Sequence, residues 1–157
     1  MLRILAAFIF FTRLPFWRLA EVPSEYFKNV VSRWALVGWL TAGLSVIVLY
    51  TASLILPASV AVLLAIVTRL LITGCLHEDG LADFFDGFGG GTSRERILSI
   101  MKDSHIGSYG VIGLILYFAL LYTLLSSLPL TLAGSAILAG DPFSKGVAGM
   151  IINRLPY

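Results

Sequence analysis

The chain has 157 residues, 58% of them hydrophobic and 13% charged, against roughly 45–50% and about 25% in an ordinary soluble domain. A net charge of +2 without any basic run gives no footing for nucleic acid. The single cysteine, Cys75, excludes an internal disulfide and a multi-cysteine metal site. The composition points to an integral membrane protein in contact with the lipid bilayer, and the apolar runs, taken in order, make it all-α and polytopic.

The start, Met1-Leu2-Arg3 with an apolar run behind it, has the look of a signal peptide. Thr12-Arg13-Leu14-Pro15 interrupts the run and no small-residue cleavage site follows, so the segment reads as retained. Ile4 to Phe11 falls short of the about 20 residues that cross the hydrocarbon. Flanked by Arg3, Arg13 and Arg18, it fits an interfacial or re-entrant helix, or a strap packed on other helices. Pro15 should end or kink it. Pro23-Ser24-Glu25 predicts a helix start with Ser24 as N-cap.

Trp34 to Leu56 carries no charge in 23 residues and is the clearest transmembrane helix, with Gly38 and Gly43 as points of close approach. Pro57-Ala58-Ser59 turns the chain, and Val60 to Leu76 returns, carrying Arg69 towards a polar cavity or out to the interface. Gly107 to Leu128 is a third uncharged span. Leu130 to Ile152 is a fourth, expected to break at Gly140-Asp141-Pro142. About four transmembrane helices follow, in one membrane domain over 1–157. Within it, 1–33 is an interfacial region, 34–76 a first hairpin, 77–106 a cytoplasmic catalytic segment, and 107–157 a second hairpin, incomplete at its end. Arg18, Lys28, Arg33, Arg94, Arg96, Lys102, Lys145 and Arg154 gather on one side. The turns at Pro57 and Pro129 carry no charge, so the large loop should face the cytoplasm.

Four of the chain's nine acidic residues lie between Leu76 and Gly91. Asp79, Asp83 and Asp86 stand at i, i+4 and i+7, so a helix places all three carboxylates on one face. Like charges so stacked repel, and a divalent cation with a phosphorylated substrate is the simplest partner. A solvated acidic face is the plain alternative. Magnesium suits Asp79 and Asp83 at one-turn spacing, with Asp86 as ligand to a second ion or as base. His77 suits hydrogen bonding better than this hard-oxygen site. Glu78 projects about 100° from Asp79 and reads as solvated or as a salt-bridge partner. Gly87, Gly89, Gly90 and Gly91 predict a flexible loop whose amides approach a phosphate. It is not a Walker loop, because the Lys-Ser/Thr pair is missing. Thr92 and Glu95 fit a capping box opening a short helix.

The run Gly74-Cys75-Leu76-His77, Asp79-Gly80-Leu81-Ala82-Asp83, Asp86-Gly87 resembles the signature of the cobalamin synthase family, the adenosylcobinamide-GDP ribazoletransferases. Arg94-Glu95-Arg96, Ile100-Met101-Lys102-Asp103-Ser104 and Ile106-Gly107 with Gly110 continue the likeness. Phe11-Thr12-Arg13-Leu14-Pro15 resembles the family's opening motif. The resemblance implies a multi-pass enzyme of the prokaryotic cytoplasmic (inner) membrane that needs Mg2+. It would join adenosylcobinamide-GDP to α-ribazole or α-ribazole 5′-phosphate and release GMP. The family aspartates carry over onto Asp79, Asp83 and Asp86 as catalytic and metal-binding residues. His77, Gly89, Gly90, Arg94, Arg96, Lys102, Asp103 and Ser104 are the candidate substrate-binding residues. His105 departs from the arginine of many members, and Glu78 from an apolar residue. Family members are longer, and this sequence stops just after Arg154-Leu155-Pro156-Tyr157, which resembles a mid-family motif, so a chain lacking the C-terminal part is expected. A CDP-alcohol phosphotransferase is the nearest rival, although that family's Ala-Arg after the first Asp-Gly is absent. A non-catalytic cation transporter is the rival from another class. Whether the chain forms a homo-oligomer is left open.

Overall fold

The computed structural model describes residues 1–155, so Pro156 and Tyr157 of the terminal motif lie outside the described residues. Among the described residues seven α-helices follow in order: α1 Leu2–Phe11, α2 Trp34–Ser53, α3 Ala58–Thr73, α4 Leu76–Gly90, α5 Arg94–Met101, α6 Ser108–Ser127 and α7 Leu130–Ile152. Tight 3-10 turns cover Phe16–Arg18 and Ser24–Arg33, and no strand occurs among the described residues. Two stretches, Ser24–Ser53 and Ser108–Ser127, are long and apolar enough to cross a membrane. The chain divides into two compact units, one of residues 1–74 with 126–157 and the other of 75–125.

In the first unit α2 is apolar on every side, so hydrophobic periodicity does not choose its buried face; small residues do. Val37, Gly38, Thr41, Ala42, Ser45, Val46 and Leu49 are buried, while Trp39 and Ile47 are exposed. Helix α7 runs antiparallel along that stripe. A Cβ on Gly134 would meet the Tyr50 ring, one on Gly38 would meet Pro142, and one on Gly149 would come within 3.0 Å of the Val31 carbonyl. The expected break at Gly140-Asp141-Pro142 does not occur: α7 is continuous over 23 residues with Pro142 inside it. Pro142 is seated against the bare Gly38. Beside it Lys145 Nζ and the Thr41 hydroxyl both donate to the Asp141 carboxylate. Both charges are buried, as such pairs must be when they face a packed partner. Lys145 is therefore not a loop charge.

Helix α1 packs rather than floats. Ala6, Ala7 and Phe11 form a cluster with Val30 and Val37, and Phe11 stacks on Trp34 with ring centres 5.0 Å apart. It ends four residues before Pro15, where the extended Thr12 takes the terminal position and its hydroxyl donates to the Phe8 carbonyl. Ser24 is the first residue of its 3-10 segment, not the cap; Pro23 precedes it in that role without a side-chain bond. Helix α3 stops at Thr73, shorter than the expected Val60–Leu76 span. Gly74 (φ +64) and Cys75 (φ +60) are both left-handed there. Gly74 bears that geometry without strain, and a Cβ on it would strike the Arg13 side chain.

Candidate active site

The second unit holds the acidic stretch, and its glycines are contacts rather than hinges. Helix α4 runs on to Gly90, so the expected flexible loop is helical up to that point. A Cβ on Gly87 would sit 2.7 Å from Met101 Cγ, and one on Gly89 would sit 2.5 Å from the Tyr109 ring. One on Gly91 would sit 2.5 Å from Ile97 Cγ1, and one on Gly113 would enter the Phe85 ring. Bare backbone at these points lets α4, α5 and α6 approach closely. Close packing thus explains Gly87, Gly89 and Gly91, whereas a Cβ on Gly90 would meet only Ile100 Cδ1, at 3.6 Å. Helix α5 begins one residue later than the capping box predicts. Ser93, extended at φ −134 and ψ 160, is the N-cap and accepts from the Arg96 amide at 3.2 Å. Thr92 and Glu95 thus lose the roles of cap and N3 partner.

The three aspartates share a helix but not an environment. Asp79 is exposed and Asp83 half-buried, whereas Asp86 is buried. Gly107 N–H donates to Asp86 Oδ2 at 2.7 Å, and Gly110 N–H donates to Oδ1 at 2.8 Å. Gly107 precedes α6 and has no side chain with which to cap it. Asp86 supplies that cap from another helix, at the end where the helix dipole favours a negative charge. Burial first, and then the charges of Asp79 and Asp86, push the Asp83 carboxyl above the ordinary aspartate range. Glu78, expected to be solvated or a salt-bridge partner, is buried.

Seven residues separate Asp79 from Asp86, about 10 Å along a helix axis, too far for one ion. Among the described residues no three His, Cys, Asp or Glu side chains gather into a metal-holding group. Asp79, exposed, and Asp83, half-buried, stand one turn apart, a spacing that suits a magnesium ion. That ion is commonly held by one or two carboxylates, with water and phosphate oxygens completing its shell. Such a cation would offset both the burial and the neighbouring charges that raise Asp83.

Past Asp86, a cavity of about 270 Å³ opens between α4, α5 and the start of α6. It is lined by Asp86, Gly90, Arg96 and Asp103 of the expected residues, together with Ser99, Ile100, His105, Gly107, Ser108 and Tyr109. His105 Nδ1 lies 2.6 Å from Asp103 Oδ1. That hydrogen bond holds the imidazole above its ordinary pKa and Asp103 below the usual carboxylate range. His105 therefore keeps a positive charge over a wider pH range, facing the same space as Arg96. Arg94, two residues before Arg96 and on the opposite side of α5, lines another cavity of about 450 Å³ with Phe88, Ile97 and Met101. His77 is half-buried at the start of α4, nine residues and about 14 Å along the axis from Asp86. Lys102, Ser104 and Gly89 are exposed. Ser99, Ser108 and Tyr109 are the lining groups that no spacing singled out, because they reach the cavity from two elements with no shared period.

The family model for cobalamin-5-phosphate synthase matches residues 3–157. Curated relatives named adenosylcobinamide-GDP ribazoletransferase are similar throughout. That of Shewanella putrefaciens is 47% identical over 98% of this chain and 60% of its own length. That of Shewanella baltica strain OS185 is 46% identical over the same shares, and that of Shewanella oneidensis is 44% identical over 94% and 58%. The chain thus spans about 60% of the length of these relatives. No solved structure matches it.

Proposed function

The chain belongs to the cobalamin-5-phosphate synthase family, and from that premise we propose that it carries the phosphate-transfer site of an adenosylcobinamide-GDP ribazoletransferase. The nucleophile is a ribose hydroxyl of α-ribazole or α-ribazole 5′-phosphate. Its oxygen forms a bond to the cobinamide-linked phosphorus of adenosylcobinamide-GDP, the bond from that phosphorus to the bridging oxygen breaks, and GMP leaves with the electron pair. The hydroxyl proton passes to a carboxylate. Asp79 and Asp83 are the open carboxylates for proton acceptance and for holding a cation. Asp86, both of whose oxygens accept amide hydrogens, instead fixes α4 against the start of α6. Bound at Asp79 and Asp83, magnesium would supply neutralisation of diphosphate charge. Arg96, His105, Ser99 and Ser108 offer donors to the remaining phosphate oxygens.

The observation that carries this reading is the Asp79–Asp83 pair, the first exposed and the second half-buried, one turn before a cavity that holds Arg96 and His105. For topology, we read α2, α3, α6 and α7 as four membrane-spanning helices. The 75–107 segment then faces the cytoplasm of the inner membrane, on the side of Arg18, Lys28 and Arg33. The uncharged turns at Pro57 and Pro129 support that orientation.

Full-length protein in detergent, given adenosylcobinamide-GDP, α-ribazole and magnesium, should release GMP. Asp79→Ala and Asp83→Ala should each lower kcat at least about 100-fold, the scale of a lost general base. Magnesium should raise the melting temperature of the parent protein and not that of Asp79→Asn/Asp83→Asn. Release of GMP at the parental rate by both alanine variants would overturn the assignment.

A further inference from the structure

A second polar cavity, of about 260 Å³, lies in the first unit and is lined by Arg3, Glu25, Tyr26, Asn29 and Arg33. It takes no part in the chemistry above. Its volume is several times the roughly 30 Å³ a water molecule occupies in the liquid, and every lining side chain is polar or charged. Arg3 comes from the first turn of α1, and Arg33 from the end of the 3-10 segment. Asn29 leaves helical geometry (φ −126, ψ 30) where that segment bends.

The charges there are not balanced. Neither arginine forms an ion pair among the described residues, although Glu25 borders the same space. Arg33 spends one donor on the Ser32 hydroxyl, at 2.7 Å, and Arg3 spends none. A guanidinium carries five N–H donors in a planar fork suited to phosphate. Two of them against one carboxylate leave a net positive charge, and the Asn29 amide and Tyr26 hydroxyl add neutral donors.

Position identifies the source of the anion. Arg33 directly precedes Trp34, the first of the 20 uncharged residues of α2, within a stretch long enough to cross a membrane. Phe10 and Trp17 are exposed nearby in the chain, as aromatics at a headgroup boundary are. We propose that this cavity is a phosphate-ester site that takes the headgroup phosphate of an anionic phospholipid. The lipid bridges α1 to the entry of α2, with Arg3 and Arg33 as its two forks.

Binding is read without corrinoid substrates, so its outcome is independent of the transfer reaction. Full-length protein in a neutral detergent is titrated with phosphatidylglycerol or phosphatidylcholine, and retained lipid is counted by native mass spectrometry. One phosphatidylglycerol per chain should be retained at least about tenfold more strongly than phosphatidylcholine. Arg3→Gln/Arg33→Gln should abolish that preference, whereas Arg18→Gln, outside the cavity, should keep it. Arg3→Lys/Arg33→Lys preserves the charge without the fork and should fall between; a melting curve on each variant establishes that it is folded. Undiminished phosphatidylglycerol retention by the folded glutamine variant would overturn the site. If inorganic phosphate bound through the two arginines while phosphatidylglycerol bound no better than phosphatidylcholine, the lipid assignment would fall in favour of a soluble phosphate.

Discussion

Helices α4 and α7 carry the same local pattern, glycines beside an aspartate in an apolar setting, and resolve it differently. In α4, Asp86 forms no ion pair among the described residues and is satisfied by the backbone amides of Gly107 and Gly110. In α7, Asp141 takes its bonds from the Lys145 ammonium and the Thr41 hydroxyl. Each aspartate stands next to a point where a glycine lets helices touch: Gly110 in the first case, Gly38 in the second. Read along the chain, both places look like weak points, a flexible loop and a helix break. In three dimensions both are points of close packing. A buried carboxylate needs donors at hydrogen-bond distance; distant backbone amides supply them to Asp86, and side chains supply them to Asp141.

The largest effect should come from breaking the α7 pair one-sidedly. Lys145→Met leaves Asp141 buried without its cation and should cost about 3–5 kcal/mol, while Asp141→Leu/Lys145→Met should recover most of that loss. Both are measured by denaturant unfolding in detergent. Equal melting of Lys145→Met and the parent would mean that the pair does not hold α7 to α2.

Asp86→Ala should cost about 2–3 kcal/mol, because it strands two amides at the start of α6. Hydrogen exchange at Gly107 and Gly110 should quicken while exchange in α2 stays put. Loss spread evenly over both units would erase the distinction drawn between the two aspartates.

Glycine-to-alanine substitutions sharpen the comparison within each region. Gly38→Ala and Gly113→Ala, where a Cβ strikes Pro142 and Phe85, should each cost about 1–3 kcal/mol. Gly43→Ala and Gly80→Ala meet nothing within 4 Å and should be neutral or stabilising by up to about 1 kcal/mol, the helix-propensity difference. Thermal melting of the four variants checks the ranking.

The smallest effect concerns the open carboxylates. The Asp83 carboxyl titrates higher in the folded chain than in the unfolded one. The folded state therefore holds more protons in that window, and stability falls as pH rises from the ordinary aspartate value to the raised one. Asp83→Asn removes this penalty and should gain about 0.2–0.5 kcal/mol at neutral pH without added cation, the scale of an i,i+4 like-charge pair. Melting that declines as steeply with pH in Asp83→Asn as in the parent would place the titration elsewhere.

Much of this was legible in the chain itself. The Trp34 start of α2 and the apolar run that forms α6 were visible because an uncharged run of 20 residues has few other stable uses. The i, i+4, i+7 spacing put the aspartates on one helix, and the family signature was readable from Gly74 to Gly110. The capping serine was missed by one position, since Thr92 and Ser93 are chemically equivalent caps and only backbone geometry separates them.

Composition and charge spacing by themselves determined that this is an all-helical membrane protein with an acidic helix between apolar ones. Its family could be read from contiguous motifs, because those properties are local. Only the tertiary structure decided that Asp86 faces inward while Asp79 and Asp83 stay open, that the glycines pack, and that α7 runs through Pro142. Each of those depends on which distant backbone lies within about 3 Å of the residue, and no local pattern carries that distance.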